Sequence, residues 1–313
     1  GEAEKTFTVF VTDDRYAEGN ETFNVILNAV DGASTETPAT LTVTIQDNDN
    51  ATGPSPVKWV ATFDPAFFVR QHYVDFLNRE PDPSGLAFWT DQMTNCGNPN
   101  VEVCRVNVSA AFFQSIEFQQ TGYLVYKTYK AGYGDIAPDK PVPVRIREFA
   151  ADTQALGRGV QVGAPEWEAR LEANKRAYFD AFAATPRFVV QYPASMTAAQ
   201  FVDRLNTNAG GVLTQSERDA LVSDLASGAK TRAQVLRAVA ESAALHQKEF
   251  NKAFVLMQYF GYLRRDPDSG DDTNFDGYNF WLGKLNEFNG NFVAAEMVKA
   301  FLQSDEYVKR FGQ

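Results

Sequence analysis

The stretch that decides the fold occurs twice, as FVRQHYVDFLNREPDPSGLAFW at residues 68–89 and as FVLMQYFGYLRRDPDSGDDTNFDGYNFW at residues 254–281. In both, apolar residues at helical spacing lead into a Pro-Asp turn, and a Phe-Trp pair follows the turn. The proline ends the first helix, a turn aspartate or serine caps the next helix, and the aromatic pair packs that helix onto the core. The sequence therefore predicts a duplicated helix–turn–helix motif.

Each copy continues into a second matching stretch, AFFQSIEF from Ala111 and AFLQSDEY from Ala300. The internal repeat therefore covers residues 68–118 and 254–307, and its period is far too long for a solenoid. We expect the two copies to pack together, with Trp89 and Trp281 buried in equivalent places.

The rest of residues 63–313 also carries helix signals. Asp64-Pro65 is typical of a helix start, with the proline in the first turn. Three capping boxes mark later helix starts: Thr197 with Gln200, Thr214 with Glu217, and Thr231 with Gln234. Residues 131–165 hold four prolines and many glycines, which predicts an irregular excursion. The sequence thus predicts a mainly α-helical domain over residues 63–313.

Residues 1–50 follow a different periodicity. β-branched and aromatic residues alternate with polar ones in KTFTVFVT at 5–12, ETFNVIL at 21–27 and TLTVTIQ at 40–46. This alternation predicts three strands of an antiparallel sheet with one buried face. Three strands are too few for a closed sandwich, so the small β unit is expected to be incomplete. Residues 51–62 are rich in proline, glycine and small polar residues, and they form the predicted linker between two domains.

Charge and composition restrict the function classes. The formal net charge is −11, and residues 1–50 hold ten acids against two bases, so we expect no nucleic-acid partner. No apolar run is long enough for a membrane span. The chain has only two histidines and two cysteines and shows no nucleophile, phosphate-loop or dinucleotide motif. The sequence therefore indicates a protein that is not an enzyme.

Residues 1–50 resemble the second half of a Calx-beta domain, because of DDRYAEGNETFNVIL at 13–27 and ATLTVTIQDND at 39–49. The resemblance implies an immunoglobulin-like β-sandwich, incomplete here because the family's first strands are missing, with calcium at one end of the sheet. The calcium ligands carried over from the family are Asp13, Asp14, Glu18, Glu21, Asp47 and Asp49. If the strands are neighbours, all six side chains can meet at that end. The alternative is a solvated acidic turn.

Residues 63–313 resemble the bacterial domain of unknown function 4214. The signature of that family is a tyrosine-leucine-arginine helix, a Pro-Asp turn and a Phe-Trp pair, and it is present twice here. The resemblance implies an all-helical scaffold similar to the phycobilisome linker fold. It also implies a secreted or surface-attached bacterial protein, and hence an extracellular or cell-surface location. The family has no assigned activity, so the resemblance implies an architecture rather than a chemistry.

A second candidate calcium site is the turn insertion DPDSGDDTNFDG at residues 266–277. Oxygen-bearing side chains crowd this loop: Asp266, Asp268, Asp271, Asp272, Asn274 and Asp276. Their spacing is not that of an EF-hand, and the first copy makes the same turn without these acids. A polar insertion without metal is the alternative.

Cys96 and Cys104 lie close together in NCGNPNVEVC, and the extracellular affinities of the chain predict a disulfide between them. In a reducing cell they would be two spare thiols. His72 and His246 have no cysteine nucleophile or paired acid at ligand spacing, so both are expected to be structural or exposed. The tyrosines of GYLVYKTYKAGYG at 122–134 can stack on sugar rings, but their steps of three residues favour a buried helix.

We therefore expect a non-enzymatic structural module, for adhesion or for filament or surface-layer assembly, in an extracellular bacterial surface protein. Strands from other copies of the chain, or from a missing N-terminal segment, would complete the β-sandwich. Calcium would stabilise this β part. The alternative is a carbohydrate-binding module of a secreted protein, with a glycan as its partner and the tyrosine-rich or tryptophan-bearing surface as its site.

Overall fold

The computed structural model describes residues 9, 11, 17, 19–27, 39–48, 55–58, 63–98, 100–270 and 272–311. Over these residues the chain is mainly α-helical, and it carries one small antiparallel sheet near the N-terminus. No helix of the described part is both long enough and apolar enough to cross a membrane.

The sheet consists of β1 (Glu21–Ile26) and β2 (Thr40–Ile45). Phe23 lies opposite Val43 and Val25 lies opposite Leu41, so these side chains share one face of the ladder. On the other face, Thr42 donates a hydrogen bond of 2.7 Å to the Asn24 side chain. The predicted strands at 21–27 and 40–46 are confirmed to within a residue. Most of the predicted strand at 5–12 lies outside the described residues.

Fifteen α-helices follow within the described residues. They are α1 Pro65–Leu77, α2 Pro83–Thr94, α3 Val101–Gln114, α4 Ile116–Gln120, α5 Gly122–Tyr133, α6 Ile146–Gly157, α7 Trp167–Ala183, α8 Pro186–Gln191, α9 Ala198–Asn208, α10 Gln215–Ser227, α11 Arg232–Ala240, α12 Ala243–Gln258, α13 Asp276–Glu287, α14 Met297–Gln303 and α15 Asp305–Val308. A π-helical turn, Tyr259–Leu263, extends α12, and a 3₁₀ turn, Lys309–Phe311, follows α15.

The helix starts follow the predicted caps. The Asp64 carboxylate accepts hydrogen bonds from the N–H groups of Ala66 and Phe67, at 2.9 and 3.0 Å, and so begins α1. All three predicted capping boxes are present, at α9, α10 and α11. Each box gives side-chain acceptors to two backbone N–H groups that would otherwise lack a partner at the start of the helix.

Helix α5 is the centre of the helical part. Its residues from Gly122 to Gly132 are buried, and α6, α9, α11 and α12 pack around it. Tyr123, Tyr126 and Tyr129 are all buried, so the tyrosine stripe of this helix is mainly core, as its spacing indicates. Tyr133, at the C-terminal end of α5, is only partly buried.

Helix α6 lies inside the stretch that the sequence predicts to be irregular, so that prediction is wrong for residues 146–157. The four prolines of residues 131–165 all fall outside these twelve residues. Phe149, Thr153 and Leu156 are buried and share one face of α6. Residues 146–157 therefore form the helix that their apolar spacing favours, because no proline interrupts the hydrogen bonds of that helix.

The second half of the predicted linker packs on the helices. Ser55, Pro56 and Val57 are buried, and Val57 belongs to the hydrophobic core. The Asp64 N–H donates to the Pro56 carbonyl at 2.9 Å, which fixes this turn beside the start of α1.

Two segments of the helical part make matching ion pairs. Arg79, after α1, donates to both carboxylate oxygens of Glu117 in α4, at 2.6 and 2.8 Å. Arg265, after the π-helical turn, donates to both carboxylate oxygens of Glu306 in α15, at 2.5 and 3.0 Å. The residue before each arginine, Asn78 or Arg264, has a left-handed backbone with φ of 53° or 54°. Each arginine thus ties the turn after a long helix to a short helix further along the chain.

The same two segments place a tryptophan against a phenylalanine. Trp89 lies 5.6 Å from Phe112 and Trp281 lies 5.8 Å from Phe301, measured between ring centroids. Both indoles pack against the core but are only partly buried, so they are less buried than the sequence predicts. The turn glycines Gly85 and Gly277 have ordinary φ, and each is needed because a Cβ would collide with a tyrosine hydroxyl.

Candidate functional site

The N-terminal acids predicted to bind calcium are described only in part. Glu21 begins β1 and Asp47 follows β2, and the antiparallel pairing places both at the same end of the hairpin. The Asp47 carboxylate accepts a hydrogen bond of 2.6 Å from the Gly19 N–H, and the Asp47 N–H donates to the Asn20 side chain at 2.9 Å. The other four candidates lie outside the described residues, and they are Asp13, Asp14, Glu18 and Asp49.

The acids of the second candidate calcium site contact separate partners. Asp266 accepts from the Ile146 N–H at 2.9 Å, at the start of α6. Asp268 pairs with both Arg145 and Lys140, and the arginine holds the pKa of Asp268 down at about 2. These contacts tie the loop to residues 140–146.

The remaining acids of this loop do not converge either. Asp272 pairs with Arg265 at 2.7 Å, Asn274 donates to Asp276 at 3.0 Å, and Asp271 lies outside the described residues. Alignment of the two copies matches Asp268 with Asp82. In this loop, however, Asp272 is the acid that pairs with Arg265. Within the described part of the chain, no group of three or more histidine, cysteine, aspartate or glutamate side chains is arranged to hold a metal ion.

The disulfide between Cys96 and Cys104 is present, which confirms the prediction. The two Cα atoms lie 5.9 Å apart, within the usual range for a disulfide. The bond joins the loop after α2 to the first turn of α3.

His72 lies in a buried polar chain rather than at a cavity. Its Nδ1 is 2.7 Å from the Phe68 carbonyl and its Nε2 is 2.6 Å from the Ser109 hydroxyl, which in turn contacts the Tyr262 hydroxyl. Burial lowers the pKa of His72 to about 4, so the ring is neutral at pH 7. A neutral ring that donates from Nδ1 must accept from Ser109 at Nε2. Each group in the chain thus has a partner, and none faces a cavity.

A cavity lined by both aromatic and charged side chains lies between α5, α6, α7 and α8, and we name it the tyrosine cleft. Its volume is about 560 Å³. It is lined by Tyr129 and Tyr133 of α5, Glu148 and Asp152 of α6, Arg158 after α6, Asn174, Tyr178 and Phe182 of α7, and Thr185 and Arg187 at α8. Aromatic rings therefore form much of its wall, and two acids and two arginines contribute charge.

Asp152 is one of the two acids that line the tyrosine cleft. The Tyr178 hydroxyl donates to its Oδ2 at 3.4 Å, and the Tyr129 phenol is close enough to favour the charged form of this carboxylate. Burial raises the pKa of Asp152 to about 6, the negative charge of Glu148 adds to that rise, and the two phenols oppose it. Asp152 thus changes charge close to neutral pH.

The rim of the cleft carries Arg187 and Glu148. The Arg187 guanidinium lies over the Tyr133 ring, 3.8 Å from its centroid, and Arg187 Nη1 is 3.4 Å from Glu148 Oε1. The Tyr133 hydroxyl is 3.4 Å from the Thr185 hydroxyl. These contacts orient Tyr133 and occupy the outer face of its ring with a cation.

A second cavity of about 670 Å³ lies beside Trp89. Arg79, Phe88, Ile116 and Glu117 also line it, and Phe88 and Ile116 are 54% and 60% exposed. Its charged groups are Arg79, Glu117 and Asp82, and Arg79 pairs with both acids, so these groups are already engaged with one another.

Comparison with known proteins found one family model that matches part of the chain. The model of the family described as Domain of unknown function (DUF4214) matches residues 59–121, which include α1 to α4. No curated protein matches the chain, and no solved structure matches it either.

Sequence reasoning missed the acids of the tyrosine cleft. Glu148 and Asp152 are one helical turn apart on α6, within the stretch predicted to be irregular. The signal that could have found them is the spacing of Phe149, Thr153 and Leu156, which identifies α6 and places the two acids beside its buried face.

Proposed function

We propose that this protein is a non-enzymatic assembly module of an extracellular bacterial surface protein, acting in adhesion or in a filament or surface layer. Strands from a second copy of the chain complete its β part. The observation that carries this proposal is the apolar hairpin face described below. The disulfide supports an oxidising location outside the cytoplasm.

The hairpin presents apolar side chains without burying them. Phe23 and Val43 are only partly buried, and Leu41 on the same face is 63% exposed. Ile26 and Leu27, at the end of β1, are 57% and 64% exposed. An apolar strand pair left in water is prone to pair with further strands, because its edges and its face both gain from being covered. A second copy supplies a face of the same chemistry.

The family resemblances fit this role. A Calx-beta-like sheet can gain further strands from another chain by β-augmentation. Calcium at the end of the hairpin that holds Glu21 and Asp47, with the other predicted ligands, stabilises the completed sandwich. The helical part acts as a rigid scaffold similar to a phycobilisome linker, with the hairpin at one end of its sequence.

We also propose that residues 68–118 and 254–307 are copies of one helix–turn–helix unit. The matching Arg79–Glu117 and Arg265–Glu306 pairs support this, as do the two tryptophan–phenylalanine contacts. The copies pack on each other where Tyr262 of the second lies 5.4 Å from Phe76 of the first, measured between ring centroids.

The test is the molar mass of the full chain in solution, measured by sedimentation velocity over a range of protein concentrations with and without calcium. We expect concentration-dependent association that calcium strengthens. Leu41→Thr keeps a β-favouring residue but removes an apolar group from the hairpin face, so it should weaken association. Val190→Thr, at an equally apolar but helical position that is 81% exposed, is the matched control and should associate as the parent chain does. A monomer at every concentration, with and without calcium, would overturn the proposal.

A further inference from the structure

We propose that the tyrosine cleft is a binding site for a neutral saccharide of one or two pyranose rings. This activity is separate from assembly through the hairpin and does not depend on it. The argument rests on the size of the cleft, its balance of charge, its hydrogen-bonding groups and its aromatic walls.

The size of the cleft fits a small ligand. Its volume of about 560 Å³ lies in the range of ordinary small-molecule sites, which runs from about 300 to 1,000 Å³. Four helices define its walls, so the site is formed by regular secondary structure rather than by loops alone. Such a site is largely formed before a ligand arrives.

The charges of the cleft favour a neutral ligand. Two acids, Glu148 and Asp152, are balanced by two arginines, Arg158 and Arg187. The ring face of Tyr133 already holds the Arg187 guanidinium at 3.8 Å, so an incoming ammonium group would have to displace it. A phosphate or carboxylate ligand would meet the two acids. A polyhydroxylated neutral molecule meets neither obstacle.

Asp152 supplies the hydrogen-bonding capacity that a sugar requires. An ionised carboxylate accepts about four hydrogen bonds, and the Tyr178 phenol accounts for one of them. The remaining capacity suits two neighbouring hydroxyl groups of a pyranose. The Tyr178 oxygen that donates to Asp152 can also accept from a sugar hydroxyl.

The bonding of Asp152 also differs from that of the acids that hold the fold together. Asp75 and Asp268 are each paired with an arginine. Among the described residues, Asp152 accepts from the Tyr178 phenol and has no cation in ion-pair distance. A partly buried carboxylate without a cation costs stability, and such a cost is common where a residue serves a ligand.

The aromatic residues of the cleft supply an apolar surface for the C–H face of a sugar ring. Tyr178 and Phe182 line the cleft from α7, with ring centroids 5.9 Å apart. They are 6% and 5% exposed, and the Tyr133 ring beside them already holds Arg187, so the apolar surface that they offer is small. A small apolar surface next to a carboxylate and hydroxyl groups matches the alternating apolar and polar faces of a pyranose.

The test is whether sugars of a defined panel bind the full chain. Binding is measured by changes in amide chemical shifts and by calorimetry. The panel is glucose, galactose, mannose, N-acetylglucosamine, maltose and cellobiose, with glucosamine and glucuronate as charged comparators. We expect at least one neutral sugar to bind with a dissociation constant of about 1 mM or tighter. The shifts should be largest in α6 and α7.

Three variants identify the site. Asp152→Asn and Tyr178→Phe keep the shape of the cleft and should each weaken binding about tenfold. Asp180→Asn is the matched control, because Asp180 is exposed on α7 and does not line the cleft, and it should bind as the parent chain does. Tyr178→Phe keeps the test valid if Asp152→Asn fails to fold.

The proposal is overturned if no neutral sugar binds at about 50 mM, a concentration well above the expected constant. It is also overturned if glucosamine or glucuronate binds more tightly than every neutral sugar. Binding that both cleft variants leave unchanged would place the sugar elsewhere, for example beside Trp89, and would overturn it too. None of these outcomes depends on whether the chain associates through its hairpin.

Discussion

Arg79 and Glu117 stand 38 residues apart in the chain and form a two-point ion pair, with Nε 2.6 Å from Oε1 and Nη2 2.8 Å from Oε2. The Glu117 side chain is 7% exposed, whereas that of Glu306 in the equivalent pair is 39% exposed. The Glu117 carboxylate is therefore less screened by water than the Glu306 carboxylate, although Arg265 is more buried than Arg79, at 13% against 21% exposed.

Glu117→Gln should accordingly destabilise the protein by about 2 kcal/mol, because it leaves the Arg79 guanidinium partly buried without its counter-ion. Glu306→Gln should cost under about 1 kcal/mol, since water replaces the lost contact. Urea unfolding of both variants measures the difference. Equal costs would show that burial does not set the strength of these pairs.

Trp89→Ala and Trp281→Ala should each cost about 2 to 3 kcal/mol, less than a fully buried tryptophan, because both indoles are only partly buried. The two costs should agree within about 1 kcal/mol if the segments are copies of one unit. Phe88→Ala and Phe280→Ala are the controls, since these rings are 54% and 57% exposed, and they should be nearly neutral. A large cost for one tryptophan alone would argue against equivalence.

Asp152→Asn should stabilise the protein at neutral pH. The folded-state pKa of Asp152 is raised from 3.8 to about 6, so the folded protein holds this proton more tightly than the unfolded chain does. Stability is therefore lost as pH rises from about 4 to 6, and the loss is complete above about pH 6. Tyr129 and Tyr178 face this carboxyl from α5 and α7, and Glu148 faces it from α6.

The gain from Asp152→Asn should be about 1 to 2 kcal/mol at about pH 7.5, reduced from the full value of the pKa shift because the carboxyl is partly exposed. It should vanish near about pH 4. Thermal unfolding at both pH values, with Asp180→Asn as control, measures it. A gain that does not change with pH would show that Asp152 is not titrating in this range.

Replacing Cys96 and Cys104 together by serine should cost about 2 kcal/mol, because the bond closes a short loop and limits the unfolded chain only modestly. Urea unfolding under non-reducing conditions measures the loss. Adding a reductant to the serine variant should change nothing, whereas adding it to the parent chain should produce the same loss.

The parts of the fold that local rules determine could be predicted from the sequence. The caps at Asp64, Thr197, Thr214 and Thr231 were predictable because a cap needs only a few neighbouring residues. Helix α6 was not, because prolines on both sides hid a short apolar stripe. The tyrosine cleft was not either, because its residues come from four helices, and their meeting depends on packing that no local pattern records.

Aligning the two sequence copies also could not predict which acid contacts which arginine. Sequence matching paired Asp82 with Asp268, yet the insertion brings Asp272 to Arg265 and leaves Asp268 for Arg145. An insertion shifts which acid reaches a fixed cation, because reach through space, and not position in the chain, decides the ion pair.

The turn at residues 55–58 has a mechanical consequence. Because Val57 is buried and Pro56 is bonded to Asp64, tension applied to the hairpin is delivered to the helical core at Val57, before it reaches α1. The seven chain steps from Asn48 to Ser55 can extend to about 24 Å at most. If chains join through their hairpins as proposed, this length bounds how far a hairpin can move from its helical core before Val57 must leave that core.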